Sequence, residues 1–290
     1  MYPASFEYFA PATLDEALEI LGRFDEGEAK ILAGGQSLIP LMKLRFASPQ
    51  ALVDVNGVSE LGRLTEESGG LRIGALTRHK DCERSTLLRG RYGALGAAAP
   101  QISDPIVRNL GTVCGSLAHA DPQGDWGSVM LAVGADVEAE GPDGARTIPI
   151  EEFFHGPFTT ALAPNEVITA VRMRDPGPHA GGTYLKLERK IGDFATVGVA
   201  VHVSFANGTV GRAGIGLTGV GATNVKATAA EAALAGATLD DDAIREAARL
   251  AAEAAEPIDD LRGTAEYKRN VVRVYTERGL RKAAEGRNGD

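Results

Sequence analysis

Ala33-Gly34-Gly35-Gln36-Ser37-Leu38 and Arg108-Asn109-Leu110-Gly111-Thr112-Val113-Cys114-Gly115-Ser116 are the two stretches whose reading decides the fold of this chain. Each sets small residues and a hydroxyl where main-chain N–H groups can close on an anion. Successive N–H groups in a tight turn form a concave nest for phosphate oxygens. Glycine lets the backbone approach closely or take positive φ, and Ser37 and Thr112 add hydroxyl donors. One glycine pair is ordinarily a turn. Two such loops, separated by a folded stretch, point to a long phosphate-bearing ligand gripped from both sides. Neither loop fits GxxxxGKS/T, which excludes a P-loop, and neither fits the GxGxxG of nicotinamide-binding folds.

Outward from the first loop, residues 30–33 read as a short strand. Residues 38–45 read as a helix with Pro40 in its first turn. Upstream, 13–24 reads as a capped helix, with Thr13 as N-cap and Glu16 three residues on, as in a capping box. Leu14, Ala17, Leu18 and Leu21 recur there at helical spacing. A strand at 52–55, closed by Asn56-Gly57, completes a β–α–β lobe. A β-meander is expected over 58–80 and helix over 80–99. The second loop follows. Beyond it, 135–140 alternates like a half-buried strand, 141–144 is a Pro-Gly turn, 148–154 resembles another strand and turn, and 167–173 alternates again.

Residues 175–182, rich in proline and glycine, read as a linker. Strands at 183–189, 196–205 and 210–218 follow, with Asn207-Gly208 as a hairpin signal between the last two. Alanine-rich helices are expected at 226–235, 240–255 and 264–284. This second part is a sheet covered by helices.

The 290 residues favour two domains over one. A net charge of −9 disfavours nucleic acid and anionic membranes as partners, since both want clustered Lys and Arg. No apolar run approaches the roughly 20 residues of a membrane span. The first six residues lack the basic region and apolar core of a signal peptide, so a cytoplasmic protein is expected. Two cysteines, Cys82 and Cys114, are too few for an iron–sulfur cluster, which takes about four thiolates; a disulfide between them stays open. His119, Asp121 and Asp125 lie close in sequence, but without a nearby cysteine or second histidine they do not make a metal site. Asp121-Pro122 reads as a turn, and Asp125 suits a ribose hydroxyl, as acidic residues do in dinucleotide sites. Ser37, His119 and Asp121 lack a GxSxG elbow, and no catalytic residue is assigned.

At these residues the chain resembles a known family. AGGQSLIPLMKLR and RNLGTVCGSLAHADPQGD are similar to the two flavin signatures of the medium, FAD-binding subunit of the molybdenum hydroxylases, the family of carbon monoxide and xanthine dehydrogenases. Tyr184 to Lys190, with Asp193-Phe194-Ala195 and Val197 to Ala200, resembles the start of that family's C-terminal domain, and Tyr267-Lys268-Arg269 also fits. The resemblance runs nearly end to end. It implies an α+β chain: a two-lobed FAD-binding domain of the vanillyl-alcohol-oxidase type over 1–176, with lobes of about 1–57 and 58–176, then a smaller C-terminal domain over 177–290 with a three-stranded sheet and helices.

The resemblance also implies the site. Ile31, Leu32, Ala33, Gly34, Gly35, Gln36, Ser37 and Leu38 would hold the FAD pyrophosphate from one side. Gly111, Thr112, Val113, Cys114, Gly115 and Ser116 would hold it from the other. Asp125 would contact the adenosine end, Asp121 would belong to the cofactor site, Ile102 and Ile168 would line it, and Lys186 would reach the flavin or its ribityl chain. Two departures stand out: Cys114 where the family commonly has glycine, and Ser116 where asparagine is common. A position needing positive φ would make Cys114 weaken FAD binding; otherwise the thiol packs as a small hydrophobe. The molybdenum cofactor and 2Fe–2S clusters are expected on partner chains, a large molybdopterin subunit and a small iron–sulfur subunit, in a dimer of heterotrimers. This chain would pass electrons from those clusters through FAD to an external acceptor. The alternatives are a self-contained flavin reductase or oxidase of the same superfamily, and a non-redox assembly module that has lost FAD.

Overall fold

The computed structural model describes residues 2–67 and 69–285. Met1, Ser68 and 286–290, which fall in the expected N-terminal segment, meander and C-terminal domain, lie outside the described residues. The first lobe begins with β1 (Glu7–Phe9), α1 (Leu14–Leu21), β2 (Ala29–Leu32), α2 (Leu38–Lys43) and β3 (Ala51–Asp54). Its parallel sheet runs β1-β3-β2. The sequence showed β2 and β3 but not β1, a largely exposed strand with no apolar alternation to announce it. Thr13 caps α1 by accepting from Glu16 N at 3.2 Å, while the Glu16 carboxylate accepts from Ala12 N rather than from the cap itself. Parallel strands need buried faces, and Leu14, Ala17, Ile20 and Leu21 of α1 bury against this sheet's core.

The second lobe corrects two expectations. Residues 58–80 hold a hairpin, β4 (Leu64–Glu67) and β5 (Gly70–Gly74), and not a meander, and the third partner of that sheet arrives from far along the chain. The helical stretch 80–99 is broken into α3 (His79–Arg84) and α4 (Gly93–Ala98), with a 3-10 turn between them. The second glycine stretch joins two helices, α5 (Pro105–Leu110) and α6 (Val113–His119), meeting at Gly111-Thr112. Gly111 lies between them as the C-cap of α5, and only Gly115 falls inside a helix, where propensity disfavours it; both helices carry side-chain N-caps. Asp104 accepts from Val107 N and Thr112 from Gly115 N. Next come α7 (Asp125–Val133), β6 (Asp136–Gly141), β7 (Gly144–Pro149), the short pair β8 (Phe154–Gly156) and β9 (Thr159–Thr160), and β10 (Val167–Arg174). The antiparallel sheet is ordered β4-β5-β10-β6-β7.

Beyond residue 174 the chain forms β11 (Ala180–Leu187), β12 (Val197–Ala206), β13 (Thr209–Thr218) and β14 (Val225–Lys226), paired in that order. The two-residue β14 is a fourth strand beside the three expected. Asn207 and Gly208 take φ of 52° and 83°, the double positive φ of a tight hairpin. Helices α8 (Thr228–Leu234), α9 (Asp241–Ala254) and α10 (Ala265–Ala283) cover one face. The other face rests on α4 and α7. Every residue of α7 is buried, Asp125 and Ser128 included. Residues 175–179 therefore cross between tightly packed bodies: Tyr184 and Ala200 of the second sheet belong to the core of the first part. Thr218 Oγ1 bonds Ser128 Oγ at 2.5 Å, and Asn224 Nδ2 donates to Gly124 O at 3.1 Å. Among the described residues no helix is long and apolar enough to cross a membrane.

Candidate functional site

The two glycine stretches touch. The turn after β2 brings Gly34 against the end of α5 so closely that a Cβ on Gly34 would sit 2.7 Å from Gly111 Cα, and nearer still to Leu110 O. Gly35 follows with φ of +70°, a conformation side chains resist. Among the described residues the main-chain N–H groups of Gly34, Gly35, Gln36, Ser37 and Leu38 make no hydrogen bond. Ser37 stands at the start of α2, and its hydroxyl makes no capping bond. A half-buried run of unpaired N–H groups and a hydroxyl is a cradle for an anion.

The facing wall is more fully employed. Val113 N donates to Thr77 O at 3.1 Å, Gly115 N to Thr112 Oγ1 at 3.0 Å, and Ser116 N to Thr112 O at 3.1 Å. The Thr77 hydroxyl, beside this wall in sequence and pairing, is buried with no partner. Cys114 lies inside α6 with ordinary helical φ and 2% exposure, so the positive-φ concern does not arise. Its Sγ approaches Ile73 O at 3.9 Å. Both cysteines are free and buried, which closes the disulfide question; burial pushes the Cys82 thiol up to about 12 and Cys114 higher.

Residues that sequence reasoning missed hold the two walls together. Arg78 donates through Nη1 to Leu110 O and through Nη2 to Asn56 Oδ1. Asn56 Nδ2 donates to Ala33 O at 2.8 Å and to Asp54 Oδ1 at 2.6 Å. Tyr8 OH completes the chain by donating to Asp54 Oδ2 at 2.6 Å. His79, 4% exposed, donates its main-chain N–H to Gly111 O at 3.0 Å, while its ring Nδ1 accepts from Trp126 Nε1 at 3.0 Å. Burial, with Arg108 and Arg78 nearby, depresses its pKa to about 4. None of these residues forms a local motif; only the fold assembles them.

Asp125 and Lys186 meet at the join between the two parts. Asp125 Oδ1 accepts from Tyr184 OH at 2.6 Å and Oδ2 from Lys186 Nζ at 3.0 Å. Lys186 Nζ also donates to Gln101 O at 2.9 Å, with Glu188 at 3.6 Å. Burial raises the Asp125 pKa, and Lys186 and Tyr184 pull it back. Ile102 follows Gln101, and its carbonyl accepts from Arg108 at 3.1 Å. Ile168 buries its side chain in the core, at a bulge in the β10–β6 pairing. Asp121 forms the expected turn, accepting from Gln123 N at 2.9 Å. His119 packs on Phe158, with ring centroids 5.2 Å apart, and does not join Asp121 and Asp125. Among the described residues no cluster of three His, Cys, Asp or Glu could hold a metal.

With this geometry in place, likeness to known proteins is informative. Residues 4–173 match the model of the FAD binding domain in molybdopterin dehydrogenase, and 182–283 match the CO dehydrogenase flavoprotein C-terminal domain. The chain is 40% identical over 283 residues to the carbon monoxide dehydrogenase medium chain of Hydrogenophaga pseudoflava, covering 98% of each. It is 36% identical to the 6-hydroxypseudooxynicotine dehydrogenase complex subunit alpha of Paenarthrobacter nicotinovorans, covering 98% of this chain and 96% of that one. A solved carbon monoxide dehydrogenase from Hydrogenophaga pseudoflava, lacking the Mo-pyranopterin moiety of its cofactor, superposes with a TM-score of 0.94 at 43% identity, covering 99% of both chains.

Proposed function

The chain belongs to the FAD-binding medium-chain subunits of molybdopterin dehydrogenases, a family of oxidoreductases, and on that premise we propose that it is the electron outlet of a heteromeric molybdenum hydroxylase. In that role electrons from 2Fe–2S clusters on a small partner subunit leave through this chain for an external acceptor. A large molybdopterin subunit carries the substrate chemistry, and the assembly is a dimer of heterotrimers in the cytoplasm. The division of labour follows 1–176 for FAD and 177–290 for the C-terminal domain. The relatives' names speak of carbon monoxide and of a hydroxylated nicotine derivative, which fits a chain that does not itself select the substrate.

One observation carries this reading: the unpaired N–H groups from Gly34 to Leu38, set in backbone contact with Leu110-Gly111. A Cβ at Gly34 would fill that contact, so the cradle requires the residues it has. FAD supplies the redox chemistry when bound, taking and giving electrons singly or in pairs, and the protein supplies position and electrostatics. Residues 31–38 would bind the pyrophosphate through main-chain N–H groups and the Ser37 hydroxyl. Gly111 through Ser116 would close the opposite wall. Ile102, Asp121, Asp125, Ile168 and Lys186 would shape the remainder. Burial raises the Asp125 pKa, and Lys186 and Tyr184, bonded to its two oxygens, oppose that rise and hold the carboxyl in place. Ordinary helical φ at Cys114 removes the geometric objection that favoured a module without flavin. Purified full-length chain should show flavin absorbance or take up FAD on addition, and mass analysis of co-purifying proteins should find a cluster-bearing and a molybdopterin-bearing subunit. Failure to bind FAD under either condition sinks the reading.

A further inference from the structure

We propose that Arg78 is the positioning residue that sets the spacing and peptide orientation of the two FAD-facing walls, an inference that rests on the FAD reading above. Arg78 belongs to neither glycine stretch. It sits on the bridge that pairs it with Thr112, immediately before α3, and is half-buried. From there its fork reaches one acceptor on each wall: Leu110 O, the atom against which Gly34 rests, and Asn56 Oδ1. Asn56 in turn holds Ala33 O, the carbonyl of the peptide whose N–H belongs to Gly34. The result is a closed ring. On one side Gly34 touches Leu110 backbone to backbone. On the other, Leu110 O, Arg78, Asn56 and Ala33 O are joined by hydrogen bonds.

Two physical consequences follow. In a trans peptide the C=O and the following N–H point in opposite directions, so fixing Ala33 O fixes the aim of the Gly34 N–H, the first of the unpaired run. The ring also occupies two carbonyl oxygens at the walls, Leu110 O and Ala33 O, whose lone pairs would repel a pyrophosphate. The arrangement is itself braced: Asp54 holds Asn56 through both N and Nδ2, and Tyr8 holds the second Asp54 oxygen. The bond to Asp54, with Arg78 nearby, keeps the Asp54 carboxyl below its ordinary range. Arg78 also donates its backbone N–H to Asp81 Oδ2 at 3.0 Å, which anchors it at the start of α3. A guanidinium can serve two acceptors in fixed, diverging directions; a lysine ammonium on a flexible stem holds no such planar fork.

The test is FAD affinity of the full chain, measured by fluorescence titration and by the rate of flavin release, in Arg78→Ala, Arg78→Lys, Asn56→Ala and the Arg78→Ala/Asn56→Ala double variant. Arg78→Ala should weaken FAD binding at least tenfold, mainly through faster release, with the melting temperature of the flavin-free chain lowered by only a few degrees. Arg78→Lys, which keeps the charge but loses the fork, should recover little of that affinity. The double variant should bind no worse than the weaker single variant within about threefold, because both break one ring and contacting residues are not additive. Wild-type chain that binds FAD while Arg78→Ala binds equally well would overturn the inference, as would full recovery in Arg78→Lys or multiplicative losses in the double variant. Should Arg78→Ala fail to fold, Arg78→Lys and Asn56→Ala, at an exposed position, carry the same test. Wild-type chain that binds no FAD overturns the functional reading instead, and the two failures are told apart by the wild-type titration alone.

Discussion

Gly34 and Gly111 stand so close that a methyl group added to Gly34 would lie 2.7 Å from Gly111 Cα. Real Cβ atoms do not approach backbone so nearly, so Gly34→Ala must push the walls of the cradle apart. The contact is backbone to backbone and lies outside the buried side chains of the core. Gly34→Ala should therefore lose at least nine-tenths of its FAD after gel filtration while the far-ultraviolet circular dichroism stays that of the parent. Retained flavin would show that the contact does not matter for binding.

Cys114 yields a different kind of prediction. It was suspect because it replaces a glycine common in the family, yet it sits in α6 with helical φ and its thiol is buried. Glycine there would cost about 1 kcal/mol of helix propensity, plus the packing of the lost side chain. Cys114→Gly should bind FAD as the parent does and unfold at lower urea by about 1–2 kcal/mol, the low end of core truncations. Burial holds the thiols of Cys82 and Cys114 protonated, so neither should react with a disulfide reagent at pH 8 until the protein unfolds. Rapid reaction in the native state would contradict this account.

How far the sequence could be read follows from the range of the forces involved. Local signals were legible: the Thr13 cap, the Asn207-Gly208 hairpin, and the ends of α9 and α10, where Asp240 and Thr264 accept from first-turn amides. The glycine pair at 34–35 was legible as a turn, and Gly35 has the positive φ such a turn takes. What failed was whatever long-range packing decides. β10 pairs with β5 nearly a hundred positions away in sequence, so a hairpin looked like a meander. α6 forms despite Gly115 because its Thr112 cap and its buried Val113, Cys114 and Leu117 outweigh glycine propensity. Arg78, Asn56 and His79 are ordinary residues in the sequence and acquire their roles only when three separate segments converge.

Two buried histidines make stability depend on pH. His79 and His202 have pKa values lowered from 6.5 to about 4, chiefly by burial. His202 Nδ1 has no hydrogen-bond partner, and His79 Nδ1 already accepts from Trp126. The unfolded chain binds protons at these sites below pH 6.5, whereas the folded chain resists until about pH 4. Stability from this source is therefore complete above about pH 6.5 and falls as pH drops toward 4. Each pH unit between the two pKa values is worth about 1.4 kcal/mol per histidine. Urea midpoints should be flat from pH 8 to 7 and decline steeply from 6 to 4.5, and His202→Gln should flatten part of that decline. An unchanged slope in the variant would remove His202 from the explanation.

The Asp125–Lys186 pair ties the two parts of the chain with charges that are almost wholly buried, the Lys186 side chain being 1% exposed. Breaking a buried pair by removing one partner costs about 3–5 kcal/mol, because the other charge is left without compensation. The two removals are not equivalent. Lys186→Met leaves Asp125 facing only the Tyr184 hydroxyl and Glu188, a like charge, so its carboxyl should titrate higher still and the full penalty should appear. Asp125→Asn leaves Lys186 with Gln101 O and the Glu188 carboxylate at 3.6 Å, and an amide oxygen can still accept from Tyr184. Lys186→Met should therefore be the more damaging single change, and the double variant should be more stable than Lys186→Met alone. Urea unfolding at pH 7.5 of the parent, the two single variants and the double variant measures all four corners. A double variant whose loss equals the sum of the singles would mean that the pair is not coupled and that the join is held by apolar packing alone.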